Sequence, residues 1–182
     1  YSVGTDCYRE IPYVTRKYGT KAVVIGGKTA MQKAKPELET AIRGSKVEIV
    51  DYIWYGGDSN YENIEKLKAN ETVQNADMLF GVGGGRACDT VKTLADMLDK
   101  PFFTFPTLAS NCAACTAITV IYNADGSFKE YYYMHGPAYH TFVNTKIIAD
   151  SPEKLLWAGI GDALSKECEV LFASRDKFIY HT

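Results

Sequence analysis

Apolar residues along the chain fall into short unbroken runs, separated by longer stretches in which they recur every three or four positions. Lys21 to Gly26, Val47 to Ile53, Met78 to Phe80 and Phe102 to Phe105 are brief, rich in β-branched or aromatic residues, and bounded by glycine, proline or polar residues. That pattern predicts four buried strands. Between them, Thr29 to Ile42, a stretch after Gly56-Gly57-Asp58-Ser59 reaching about Glu71, and Arg86 to Leu98 carry helical spacing. Pro36 either kinks the first of these helices or starts a new one, and Gly44 closes it. A short helix over Cys7 to Lys17, stopped by Gly19, precedes them. Strands alternating with helices predict a Rossmann-like α/β fold, a parallel sheet flanked by helices on both faces, with ligands bound outside the carboxyl ends of its strands.

The alternation lapses after residue 106. Thr116 to Tyr122 and Ser127 to Tyr133 flank the turn-forming Asn123 to Gly126, which predicts an inserted β-hairpin with both faces partly covered. Its three tyrosines, Tyr131, Tyr132 and Tyr133, suit a strand; a stacking platform for bases is the other reading. Phe142-Val143 forms one more strand. Ser151-Pro152 starts a helical segment whose apolar residues, from Leu155 to Phe172, keep rough helical spacing, with Gly159 and Gly161 interrupting it. A domain boundary is placed so that 1–148 form the α/β domain and 149–182 the first helices of an all-α C-terminal domain, since so short a segment hardly makes a core alone.

Four glycines, Gly81, Gly83, Gly84 and Gly85, stand between the Met78 strand and the helix after it. Without Cβ atoms the backbone can turn sharply and present amide N–H groups to something pressed close. The following helix adds unpaired N–H groups and about half a unit of positive charge, which suits a phosphate, with Arg86 as a mobile or bidentate cation. The run is neither a Walker A motif nor a complete Gly-x-Gly-x-x-Gly. A tight turn without ligand is the alternative.

Composition adds bounds. Hydrophobic residues at 46% and charged residues at 23% describe a chain able to build a core, and the net charge of −2 argues against a strongly basic nucleic-acid surface. No apolar run approaches the roughly 18 residues that span a bilayer, so a cytoplasmic protein with neither nucleic-acid nor membrane partner is expected. The five cysteines are an odd, scattered set expected to be mostly small buried hydrophobes. Cys112 and Cys115 have dithiol spacing but cannot complete a tetrahedral zinc site. His135, His140 and His181 match no ligand pattern and receive no catalytic role. Asp162, among apolar neighbours, is either a helix cap after Gly161 or a metal ligand or general base.

Three ordered motifs, Gly81 to Lys92, Pro106 to Ser110 and Ala158 to Leu164, resemble the glycerol dehydrogenase branch of the metal-dependent, iron-containing type of alcohol dehydrogenases. The resemblance covers nearly the whole chain. It implies an N-terminal dinucleotide-binding domain, a helical domain, and NAD or NADP as cofactor together with a divalent metal, zinc or iron. Carried over by position, it implies that Gly84, Gly85, Arg86 and Asp89 lie along the pyrophosphate and that Thr107 and Ser110 contact the cofactor. Thr116, Ile118 and Tyr122 would line the nicotinamide side, and Asp162 would bind the metal rather than cap a helix.

The chain departs from the pattern in three places. Gly27, followed by Lys28, replaces the acidic residue that would hold the adenosine ribose, which leaves NAD against NADP open. Cys112 replaces a substrate-binding aspartate, so that the Asn111 to Thr116 stretch looks more like the hydroxycarboxylate dehydrogenases that reduce 2-oxoacids. Two metal-ligand histidines are expected beyond Thr182. The expected activity is hydride transfer between a nicotinamide cofactor and a small alcohol, polyol or hydroxyacid, in a full-length protein that is a homo-oligomer. This segment alone would bind cofactor weakly and turn over nothing. A non-catalytic nucleotide-binding module and a thiol redox protein are the other classes in play.

Overall fold

The computed structural model describes residues 1–174. Six parallel strands form one sheet: β1 (Ser2–Gly4), β2 (Lys21–Gly26), β3 (Glu48–Trp54), β4 (Met78–Gly83), β5 (Phe102–Pro106) and β8 (His140–Asn144), in the order β1-β8-β5-β4-β2-β3. The predicted hairpin is present as β6 (Ile118–Tyr122) paired antiparallel with β7 (Phe128–Tyr133). Helices α1 (Ile11–Thr15), α2 (Lys28–Ile42), α3 (Tyr61–Lys68), α4 (Glu71–Asn75), α5 (Gly85–Met97), α6 (Thr145–Ala149) and α7 (Glu153–Ser174) complete the chain, with 3-10 turns at Cys7–Glu10 and Ala113–Cys115.

The unbroken apolar runs have a simple origin. Strands alternate side chains between faces, and both faces of this sheet are covered. Ala22 and Val24 of β2 join Phe80, Phe103, Phe105 and Phe142 under α2 and the Cys7–Ile11 turn. Val23 and Ile25 join Leu79 and Phe102 under α3 and α5, against Ile64, Val91 and Leu94. On the first face Tyr8 meets Phe105 edge-on at 5.2 Å, and Phe105 stacks on Phe142 at 4.9 Å.

Several local expectations are corrected. β1 is a three-residue strand that the apolar pattern did not mark; it is held by parallel pairing to β8, remote in sequence. The helix expected to reach Glu71 stops at Lys68. Asn70 then caps α4 by accepting from Thr72 N at 2.9 Å and Val73 N at 3.2 Å, while Asn60, one residue past the anticipated loop, caps α3. Pro36 lies inside a continuous α2, whose burial of Met31, Ala34 and Leu38 offsets the lost hydrogen bond. Gly159 and Gly161 do not interrupt α7, because a helical glycine costs only about 1 kcal/mol relative to alanine.

One face of the hairpin is bare, with Tyr131 and Tyr133 exposed, while Tyr132 turns inward and donates its hydroxyl to Asp96 at 2.8 Å. Helix α7 buries none of its side chains, and Leu156, Trp157, Ile160, Leu164 and Phe172 stand exposed along it. Among the described residues no helix is long and apolar enough to cross a membrane.

Candidate cofactor cleft

Strands β2 and β4 are neighbours, and each ends in glycines that lead directly into a helix. Gly83 has φ +150°, and a Cβ there would stand 2.8 Å from that of Ala87. The turn therefore needs glycine for its conformation and its packing alike. Gly84 is the N-cap of α5 and Gly27 the N-cap of α2, and neither helix has a side-chain cap. Two sets of first-turn N–H groups thus open side by side. Gly27 N donates to Val82 O at 3.2 Å, which locks one turn against the other.

A cleft of about 570 Å³ runs across both turns. Gly84, Gly85, Arg86 and Thr107, all anticipated from sequence, line it, together with Gly27, Lys28, Trp54 and Tyr55 at its other end. A Cβ on Gly84 would lie 2.8 Å from Leu108 Cδ1, so glycine keeps this wall open. Arg86 is less free than the sequence suggests. Its guanidinium lies 3.2 Å from Asp58 Oδ2 and 4.6 Å from the centroid of the Tyr122 ring, which fixes it at the cleft mouth. Open glycine walls and uncapped amides fit a dinucleotide's diphosphate.

The remaining anticipated residues lie elsewhere. Asp89 is buried behind the cleft, where its carboxylate meets Lys92 Nζ at 3.3 Å and Val120 N at 3.3 Å. Burial pushes this carboxyl above its ordinary range, against the pull of the Lys92 ammonium. Lys92, which the sequence reading passed over, is fully buried. It also donates to Ala113 O at 2.6 Å, Ile118 O at 2.8 Å and Thr116 Oγ1 at 3.1 Å. Thr116 and Ile118 therefore belong to a lysine-centred knot that ties α5 to the segment between β5 and β6. The available signal was a lysine three residues after an aspartate on the inner face of a helix.

Ser110 and Cys112 sit on that same segment, outside the cleft lining. Asn111 covers Gly85, where a Cβ would meet its Nδ2 at 2.8 Å.

The cysteine expectation is corrected. Cys7 and Cys88 are buried, but Cys112, Cys115 and Cys168 are exposed, because Cys112 precedes and Cys115 ends a 3-10 turn at the surface and Cys168 lies on α7. Asp162 is not a cap: it lies within α7, with Lys166 Nζ 3.5 Å from its carboxylate. Among the described residues no group of three or more His, Cys, Asp or Glu could hold a metal ion, so the donors present do not by themselves fit one. His135 bonds Asp96 at 3.1 Å and His140 bonds Ser2 at 2.8 Å, both away from the cleft, and His181 lies outside the described residues.

A parallel sheet covered on both faces, with a crevice across the carboxyl ends of adjacent strands, defines a doubly wound α/β domain. The chain belongs to the iron-containing alcohol dehydrogenase family, whose profile matches residues 1–143. It is 31% identical over 175 residues to a glycerol dehydrogenase of Escherichia coli O6:H1, covering 96% of this chain and 47% of that protein. To hydroxycarboxylate dehydrogenase A of Escherichia coli K12 it is 34% identical over 161 residues, covering 87% and 43% of the two. The crystal structure of glycerol dehydrogenase from Schizosaccharomyces pombe superposes with a TM-score of 0.84 at 27% identity, over 96% of this chain and 44% of that one. The chain thus spans about half the length of the relatives it matches. Enzymes of this family generally use NAD(P) and a divalent metal.

Proposed function

We infer that the whole protein is an NAD(P)-dependent alcohol oxidoreductase of the glycerol dehydrogenase type. The bound nicotinamide would supply a hydride acceptor at its C4. With it bound, the overall change would be oxidation of the alcohol to a carbonyl compound, the hydride going to the nicotinamide and the hydroxyl proton to solvent. In this chain the first-turn amides of α5 at Gly84 and Gly85 hold the diphosphate, Arg86 braces the cleft mouth through Asp58 and Tyr122, and Thr107 closes the wall beyond. The knot around Lys92 holds the loop with Ser110 and Cys112 beside that wall. For a divalent metal, zinc or iron, Asp162 is the carboxylate that the family likeness assigns. The described residues add no cluster of metal ligands around it.

The observation that carries the reading is the pair of uncapped helix N-termini opening into one cleft of about 570 Å³. Calorimetric titration of the whole protein with NAD(P) tests it. Gly84→Val, whose side chain would displace Leu108 and fill the wall, is expected to weaken binding by roughly tenfold or more in protein that circular dichroism shows to be folded. Undiminished binding would remove the cleft from the account.

A second reading keeps the chemistry and changes the substrate to a 2-oxoacid. It is favoured by Cys112, a neutral residue where the family likeness calls for a polyol-binding aspartate, and by the 34% identity to a hydroxycarboxylate dehydrogenase. Comparing glycerol oxidation with reduction of small 2-oxoacids, followed by nicotinamide absorbance, separates the two.

A further inference from the structure

At the β2 end of the cleft, hydrogen-bond donors outnumber the acidic side chains among the described residues. Gly27 has φ −71° and ψ 142°, which any residue adopts, and a Cβ there would meet nothing nearer than Ala30 Cβ at 3.6 Å and Tyr55 Cε1 at 3.9 Å. Neither backbone nor Cβ packing demands glycine, so the position admits a side chain where none stands. Lys28 has no carboxylate within ion-pair range among the described residues, and its ammonium lies 4.6 Å from the centroid of the Trp54 ring. Lys33 lines the same cleft, with its Nζ 3.5 Å from Asp150, in a pair so exposed that exchanging partners costs little. Among the described residues Asp150 is the one acidic residue lining the cleft, against Lys28, Lys33 and Arg86.

The path of the ligand follows from the sheet. With the diphosphate over the β4 turn, the adjoining strand end is Gly27-Lys28, and beyond it Trp54 and Tyr55 supply flat aromatic faces for a purine. The adenosine ribose then lies over Gly27 and Lys28. A ribose with free 2′ and 3′ hydroxyls is recognised by an acceptor, normally a carboxylate, which also repels a 2′-phosphate. This end of the cleft presents the opposite set, namely cations and the first-turn amides of α2.

We propose that the cleft selects the 2′-phosphorylated dinucleotide, NADP(H), with the 2′-phosphate held by Lys28 and by Lys33 turned from Asp150. The proposal rests on the cofactor reading above and adds which cofactor is taken. Its test is calorimetric titration of the whole protein with NADP+ and NAD+, alongside the fragments adenosine 2′,5′-bisphosphate and adenosine 5′-monophosphate.

NADP+ is expected to bind at least about tenfold more tightly than NAD+, and the bisphosphate more tightly than the monophosphate by a similar factor. Lys28→Ala combined with Lys33→Ala should weaken NADP+ by roughly tenfold or more and leave NAD+ within about twofold. Gly27→Asp, which the local space admits, should reverse the preference. Equal or tighter binding of NAD+ by the unaltered protein, or parallel losses for both cofactors in the double variant, overturns the selection while the dehydrogenase reading stands. Binding of neither dinucleotide overturns both.

Discussion

Replacing Lys92 by methionine is the sharpest test of how the cleft is held in shape. The two side chains have similar volume, so the change removes the ammonium with little disturbance of packing. It leaves the Asp89 carboxylate, only 8% exposed, facing a thioether, and takes a donor from Ala113 O, Thr116 Oγ1 and Ile118 O. Removing one partner of a buried ion pair costs about 3–5 kcal/mol, a large share of the roughly 5–15 kcal/mol that holds a domain together. Urea denaturation is expected to show a lower midpoint with an unchanged slope. The double variant Asp89→Asn, Lys92→Met removes both charges and should recover more than half of the loss, giving a coupling energy above about 1.5 kcal/mol.

The pH dependence has a defined sign. Burial raises the folded-state pKa of Asp89 above its ordinary 3.8 even with Lys92 present, and loss of the ammonium raises it further. A raised pKa means that the native state holds the proton more tightly. The associated stability is full below 3.8 and is lost as pH rises through the folded value. The deficit of Lys92→Met should therefore be largest at neutral pH and shrink as pH falls. A deficit below about 1 kcal/mol at pH 7, or a double variant worse than the single one, would refute the compensated-pair account.

Three further outcomes are expected. Gly159→Ala would place a Cβ 1.7 Å from Ala109 O and 3.2 Å from Ser110 Cα, both backbone atoms, so α7 must withdraw from the loop despite alanine's helix propensity advantage of about 1 kcal/mol. Hydrogen exchange of the 107–112 segment should accelerate while far-ultraviolet dichroism holds its helical signal, and unchanged loop protection would contradict the contact. Thiol titration of the native protein should modify Cys112, Cys115 and Cys168 quickly and spare Cys7 and Cys88, whose burial pushes their thiols up to about 11 and about 12. Rapid labelling of Cys88 would show that α5 opens locally. Asp77 accepts from Thr20 N and Lys21 N, each at 2.8 Å, and these bonds hold its carboxyl below 3.8. Asp77→Ala should thus destabilise at neutral pH, with a gap to wild type that closes as pH falls below that value.

The order of strands and helices from Lys21 to Pro106, the hairpin and the glycine turn are local matters. Each is written in the spacing of apolar residues within a few positions, or in glycines whose neighbours repeat the same message, and the sequence alone determined them apart from the division of the expected helix before β4 into α3 and α4. It also placed Gly84, Gly85, Arg86 and Thr107 on one cleft, because the end of a parallel strand is a fixed location once the fold class is known.

Tertiary structure decided what depends on residues far apart in the chain. β1 exists because β8, about 140 residues later, offers it a free edge. The partners of Lys92 are known only once Ala113, Thr116 and Ile118 surround it, and α7 stays unbroken through two glycines, one of which allows its backbone to touch Ala109. Local pattern records which face of an element is apolar. Which distant atoms come to meet a polar side chain, or a bare Cα, is set only when the whole sheet has closed.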